Sequence, residues 1–353
     1  MPPKLKRPRS ITPTIPQRGD ATTAEPPSPQ TPSHRAKKLK LLASHAISSP
    51  FPDFPHPTPA EAEQVHALLA TTHPDIASSS ARRSKPSDDS SSNSARTCGK
   101  VSNVLDSLIG TILSQNTSSR NSTAAKHGLD AAFGRHNFQA IAEASKDQVV
   151  EAIKTGGLAN KKAAVIQTIL REVYDRHGEY SLQHLARVVQ SDVDVNSKAK
   201  AEGSSQGRAA VSDEEAMQEL VSYDGVGPKT ASCVLLFCLG RSSFPVDTHV
   251  FRLSRLLGWV PARADRVTAQ AHLDLKVPDH LKYGLHVLMV GHGRRCKGCK
   301  SMSSGKGECV LKRWVQEQKG AKEEEMEETI VKAEEAAAEV AVDHSTDVKS
   351  EVS

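Results

Sequence analysis

From about residue 99 to 187, and again from 212 to about 291, apolar residues return at the spacing of an α-helix. Nowhere does the chain alternate apolar and polar residues for long enough to build a sheet. Val101, Leu105, Leu108 and Ile112 stand at i, i+4, i+7 and i+11, and Val165, Ile169 and Val173 repeat the pattern after Gly156-Gly157. Thr58-Pro59-Ala60-Glu61 and Ser212-Asp213-Glu214-Glu215 read as capping boxes, in which the hydroxyl and the carboxylate three residues on bond each other's backbone N–H. The fold class predicted is all-α.

Composition limits how much of the chain takes part. Of 353 residues, 37% are hydrophobic and only 4% aromatic, too few for a chain folded throughout. Residues 1–57 contain many Pro and Ser residues and two basic clusters, Lys4-Leu5-Lys6-Arg7 and Arg35-Ala36-Lys37-Lys38-Leu39-Lys40. They are expected to be a disordered basic tail, because so little apolar area does not offset the entropy of ordering. Residues 58–75 are expected to form a helix packed on the core through Val65, Leu68 and Leu69. A Ser-rich linker is expected over 76–97 and a helical domain over 98–318, with a disordered polar insertion at about 190–211. Residues 319–353 read as an acidic tail, helical at first and then disordered.

The net charge of +5 is unevenly spread. Nine Lys and Arg against two acids in residues 1–41 oppose four Lys against eleven acids in 319–353. A basic arm on a mildly basic core suits a nucleic-acid protein better than an enzyme of small molecules. No apolar run approaches the ~18 residues of a membrane span, so no membrane association is expected. The basic clusters read as nuclear-import signals or as a nonspecific DNA arm. A mitochondrial address in addition stays open because the first acid is Asp20, although prolines at 2, 3, 8, 13 and 16 work against the amphipathic helix it needs.

One stretch points to chemistry. In Leu220-Val-Ser-Tyr-Asp224-Gly225-Val226-Gly227-Pro228-Lys229-Thr230-Ala231 a helix ends, two glycines make a tight hairpin, and a new helix begins at Pro228-Lys229. Glycines permit positive φ and close backbone approach, and the free N–H groups of the new helix can hold a phosphate without reading sequence. An ordinary helix–turn–helix corner looks the same. Eighteen residues beyond Lys229, Val246-Asp247-Thr248-His249 opens another helix, with Asp247 placed to cap it and to lie near Lys229. A primary amine can attack a sugar carbon and form a Schiff base, and a carboxylate can take its proton and stabilise positive charge on the ring. Taken singly, a surface lysine and a plain N-cap explain the two as well.

Together these motifs resemble the endonuclease III family of helix-hairpin-helix DNA glycosylases. The resemblance covers about half the chain, roughly 99–300 less the insertion. It includes Leu113-Ser114-Gln115-Asn116-Thr117-Ser118, Gly157-Leu158-Ala159-Asn160-Lys161-Lys162-Ala163, the Gly225–Ala231 hairpin, Val246–His249 and Gly291-His292-Gly293-Arg294. Phe244-Pro245-Val246-Asp247-Thr248 and Leu257-Gly258-Trp259-Val260-Pro261 also look like the plant demethylating members of that superfamily. It implies a two-lobed helical fold and a base-excision glycosylase that also cuts the abasic strand by β-elimination, with oxidised pyrimidines as expected substrates. Lys229 would be the Schiff-base nucleophile, Asp247 its carboxylate partner, and Gln115 the residue that fills the gap left by an extruded nucleotide. The implied DNA contacts are Gln115, Gly225, Gly227, Thr230 and His249, on double-stranded DNA carrying damaged bases or abasic sites, with the protein a monomer. A monofunctional glycosylase and a noncatalytic DNA-binding module are the alternatives. Lys229 argues against the first, because superfamily members of that kind generally lack a lysine there, and the presence of both Lys229 and Asp247 argues against the second.

The resemblance fails at one point. The family binds a 4Fe–4S cluster through cysteines spaced C-x6-C-x2-C-x5-C after the Gly-Arg element. Here Cys296 and Cys299 keep the C-x2-C pair, Cys309 follows after nine residues, and a fourth cysteine is missing. His292 could complete a zinc set with these three, but it is expected to lie within the preceding helix. The expectation is a metal-free loop, with no cofactor required.

Overall fold

The computed structural model describes residues 48–81, 103–186, 210–300 and 308–347, and among these there is no strand. The elements in chain order are α1 (Pro59–Thr72), α2 (Pro74–Ala81), α3 (Val104–Leu113), α4 (Ser119–Phe133), α5 (Phe138–Glu143), α6 (Lys146–Ile153), α7 (Ala159–His177), α8 (Asp213–Ser222), α9 (Pro228–Cys233), α10 (Thr248–Leu256), α11 (Arg266–Lys276), α12 (Asp279–Arg295), α13 (Lys297–Lys300) and α14 (Val310–Asp347). A π-helical turn, Val234–Leu239, continues α9.

Two apolar cores divide the helices into two lobes. The first lobe gathers α3 to α9 around Leu105, Leu108, Ile112, Ile166, Ile169, Val173, Leu220 and Val226. The second gathers α1, α2 and α10 to α14 around Val65, Leu69, Val250, Leu253, Trp259, Leu285 and Leu311. A small third cluster bridges them, with Cys233, Leu236 and Phe237 meeting Tyr283 and Val287 of α12. The described residues therefore start in the second lobe, build the first, and return through 240–247. The lobes meet where α9 and α10 begin.

Local signals account for the helix starts. The Thr58–Glu61 and Ser212–Glu215 capping boxes both form. Leu105, Leu108 and Ile112 are buried as the period predicts, whereas Val101 lies outside the described residues. In α7 the buried row is Ile166, Ile169, Leu170 and Val173, and Val165 stands at its edge, turned toward the hairpin.

Three boundaries shift. Residues 48–57, assigned to the tail on composition, belong to the second lobe. Phe51 is 6% exposed. Ser49 Oγ lies 2.6 Å from His272 Nδ1, and the His56 carbonyl accepts from His272 Nε2 at 2.6 Å. Prolines that preclude a helix do not preclude packing in an extended form. Residues 76–81, assigned to the linker, form most of α2, and Ile76 is buried against Gly291 of α12. Val211, at the edge of the supposed insertion, packs on the first core. The remainder of the N-terminal tail with both basic clusters, most of the linker, residues 98–102 with Cys98, and residues 187–209 lie outside the described residues. The acidic segment continues α14, whose first turns pack Leu311, Trp314 and Val315 on the second core.

Candidate nucleic-acid active site

The hairpin forms between α8 and α9, and its two glycines serve different ends. Gly225 has φ +80°, and a Cβ there would stand 2.5 Å from Val165 Cγ1. Both the left-handed conformation and the close approach to α7 demand glycine. Gly227 is extended, with φ −102°, and a Cβ on it would meet nothing within 4 Å. Of the two uses of glycine, positive φ and close backbone approach, Gly225 has the first, while at Gly227 the space outside the backbone is open. Gly227 caps α9 without a side-chain hydrogen bond and Pro228 has no N–H, so the first free N–H groups belong to Lys229 and Thr230.

Lys229 is half-buried at the first turn of α9, and Asp247 half-buried as the N-cap of α10. One carboxylate oxygen of Asp247, Oδ1, accepts from His249 N and Val250 N, both at 2.8 Å. The segment leading to it is pinned by side chains rather than by a sheet. Phe244 N donates to Asp274 Oδ1 at 2.5 Å and Val246 N to Gln270 Oε1 at 3.2 Å. His286 Nδ1 donates to the Pro245 carbonyl at 2.8 Å.

His286 unites the site. It is buried on α12, and burial pushes its pKa down to about 4. Asp247 opposes that shift while Lys229 adds to it, so the imidazole feels both groups. Cys233, one turn along α9 from Lys229, is pushed up by burial, with Lys229 acting against the shift and Asp247 with it. Lys229 and Asp247 thus both act on the buried Cys233 and His286 where the lobes meet. With Nδ1–H given to Pro245, neutral His286 keeps Nε2 as an acceptor.

Gln115 lies just past the end of α3, and its amide donates to Thr230 Oγ1 at 3.1 Å, beside Lys229. The other residues of the site come from the motif after Gly157. Lys162 is 3% exposed, burial lowers its pKa, and its ammonium donates to the carbonyls of Leu113 (2.8 Å) and Gly156 (2.9 Å). Two residues beyond one anchor is Gln115, and two beyond the other is Leu158, which has φ +52° and is 56% exposed. His249 sits against α12, where a Cβ on Gly293 would stand 2.8 Å from His249 Cβ. That is a packing position, whatever else the ring does.

Sequence reasoning missed His286, Lys162 and Leu158. A signal existed for the first two. Lys162 stands in the apolar row with Ile166, Ile169 and Val173, and His286 in that of α12 beside Leu285 and Met289, where a polar residue needs a partner. A cavity of about 240 Å³ lined by Met217, Leu235, Gln270 and Asp274 is separate, since none of Lys229, Asp247 or Gln115 lines it.

The cysteines of the expected metal-free loop belong to a close group of four potential donors. His292, inside α12 as expected, still reaches Cys296, Cys299 and Cys309, and the ligand atoms of all four lie within 4.8 Å of one another. A hydrogen bond from Cys299 is the largest cause holding the Cys309 thiol well below the ordinary range, and it pushes Cys299 up. This set does not fit a four-iron cluster, which places each of four thiolates on its own iron with the cluster between them. His177, His184 and Glu219 form a second, more exposed group of potential ligands.

Residues 109–278 match the family model of the HhH-GPD superfamily of base excision DNA repair proteins. The protein named "Putative DNA glycosylase" of Arabidopsis thaliana is 40% identical over 197 residues, which cover 56% of this chain and 59% of that protein's length. Endonuclease III of Thermotoga maritima is 30% identical over 205 residues, 58% of this chain and 79% of that enzyme. A trapped endonuclease III–DNA covalent intermediate has the same fold, with a TM-score of 0.50 and 19% identity over 72% of this chain and 93% of its own.

Proposed function

The chain belongs to the endonuclease III-like family of helix-hairpin-helix base-excision DNA glycosylases, and on that premise we propose that it is bifunctional, excising damaged bases and cutting the abasic strand through a Schiff base on Lys229. The observation that supports the reading is that Lys229, at the start of α9, and Asp247, the N-cap of α10, both act on the same two buried groups, His286 and Cys233.

A base stacked in a duplex is out of reach, so the nucleotide must first swing out, and a damaged pair costs less to open. The free N–H groups around Gly227 hold a phosphate of the damaged strand, where no Cβ blocks its approach. Gln115 enters the vacated space, and Leu158, apolar and exposed in a strained conformation, wedges the stack beside it. The Lys162 ammonium keeps the two in register.

In the chemical step the Lys229 amine gives its lone pair to the anomeric carbon while the glycosidic bond breaks and the base departs with that bond's electrons. Asp247 takes a proton from the attacking amine and stabilises positive charge on the sugar. Ring opening leaves an imine between Lys229 and the sugar. Loss of a proton from the adjacent carbon then expels the 3′ phosphate by β-elimination, and water releases Lys229. His286, neutral at physiological pH, holds the Pro245 carbonyl and with it the approach to Asp247. Oxidised pyrimidines in double-stranded DNA are the proposed substrates, the protein acting as a monomer and addressed to the nucleus by its basic clusters.

Borohydride trapping on an abasic duplex tests the reading. Wild-type protein is expected to form a covalent adduct that Lys229→Ala loses. Excision without an adduct would assign a monofunctional glycosylase, and binding without either would assign a DNA-binding module. Duplexes each bearing one lesion identify the substrate.

A further inference from the structure

We propose that His292, Cys296, Cys299 and Cys309 bind one zinc ion in a closed Cys3His site that staples the second lobe, in place of a four-iron cluster. The inference stands independently of the catalytic reading. Among His292, Cys299 and Cys309 the separations are 3.2 Å from His292 Nε2 to Cys299 Sγ, 2.9 Å from Cys299 Sγ to Cys309 Sγ, and 3.6 Å from Cys309 Sγ to His292 Nε2, and Cys296 Sγ lies within 4.8 Å of all three. A tetrahedral zinc with sulfur at about 2.3 Å and nitrogen at about 2.0–2.1 Å needs ligand atoms roughly 3.5–3.8 Å apart. Opening His292, Cys299 and Cys309 by less than an ångström therefore brings these three to zinc spacing, with Cys296, within 4.8 Å of each, as the fourth ligand.

The surroundings suit a metal. His292 is 2% exposed, and Cys299 and Cys309 are buried with it. His292 Nδ1 lies 2.8 Å from His73 Nε2, so one ring nitrogen is engaged while Nε2 faces the sulfurs. Metal-bound imidazoles commonly have such a partner, which fixes the tautomer and the ring orientation. Arg252 donates to the backbone carbonyls of Cys299 and Gly293, holding the ligand-bearing segment in place. Cys309 immediately precedes α14, whose first N–H groups face its sulfur. That is a favourable place for a thiolate.

Four protein donors leave no open coordination position, which marks a structural ion rather than a catalytic one. The ion joins the end of α12, the short α13 and the start of α14, and through His73 it reaches the end of α1. It thereby fixes the segment that includes Arg294, Arg295 and Lys297 against the lobe.

The test uses the full chain purified without added metal. Elemental analysis is expected to find about one zinc per chain, and cobalt(II) in its place is expected to give the visible bands of a tetrahedral thiolate site. Cys309→Ser and His292→Gln should lose the ion, and Cys98→Ser should keep it. Because the first two variants can also unfold, His73→Leu provides a gentler check. It should weaken zinc about 10- to 100-fold in competition with a chelator while helicity is retained. Iron and acid-labile sulfide near four per chain would overturn the proposal. So would protein isolated without metal in which cobalt gives no tetrahedral spectrum, or a Cys299–Cys309 disulfide in its stead.

Discussion

The Lys162 ammonium donates to the Leu113 carbonyl at 2.8 Å, and the same nitrogen holds Gly156. A lysine on α7 thus closes the C-terminal end of α3 and anchors the turn that presents Leu158. Burial alone would expel the charge, and the two carbonyls offset part of that cost. Lys162→Met keeps the volume but leaves both carbonyls unpaired, and should destabilise the protein by about 1–3 kcal/mol in urea unfolding. Excision from intact duplex should fall further than trapping on abasic DNA, because opening the stack needs Gln115 and Leu158 in register. Equal losses in the two assays would deny Lys162 that positioning part.

Asp247 does two jobs that substitution can separate. Asn at 247 retains an oxygen for the His249 and Val250 amides but not the charge. Asp247→Asn should unfold close to wild type while the adduct-forming rate drops on the order of 10²-fold or more. Asp247→Ala loses the cap as well, at about 1 kcal/mol. If Asp247→Asn trapped as fast as wild type, the carboxylate would be a cap and nothing else.

The two hairpin glycines should respond oppositely. Gly225→Ala meets Val165 at 2.5 Å in a left-handed conformation and should cost about 2–4 kcal/mol, counting both the strain and the clash. Val165→Ala should recover only the clash. Gly227→Ala enters open space at an allowed φ and should leave the urea midpoint almost unchanged. It should nevertheless weaken DNA binding in anisotropy titrations. Unaltered affinity in Gly227→Ala would place the phosphate elsewhere.

His286 makes the fold sensitive to acid. Its pKa is about 4 in the folded chain, against the ordinary histidine value of 6.5 once unfolded. Between these values the unfolded chain binds a proton that the folded chain refuses. Stability therefore falls as pH drops through that window, by about 3 kcal/mol at its lower end, and is unaffected by this group above it. Urea midpoints at pH 7 and about 4.5 should show a steeper loss for wild type than for His286→Asn, since the other buried histidines are common to both. Parallel losses would mean that the folded protein admits the proton.

What the sequence determined by itself was whatever rests on neighbours a few residues apart. The helical class follows from apolar spacing around Leu105 and Ile169. The helix starts at Thr58 and Ser212 follow from capping boxes, and the Lys229 hairpin from its glycines and proline. These depend on a local period or a local hydrogen bond, so they are written where they act. Tertiary structure alone decided what depends on distant partners. Phe51 is part of the fold because α11 lies beside it, although its own surroundings are rich in proline. His286 faces Lys229 and Asp247 from a helix nearly forty residues beyond Asp247. His292 joins Cys309 only because α12 and α14 pack on one core. Spacing along the chain cannot report such meetings, because they are set by how two lobes bury their apolar faces.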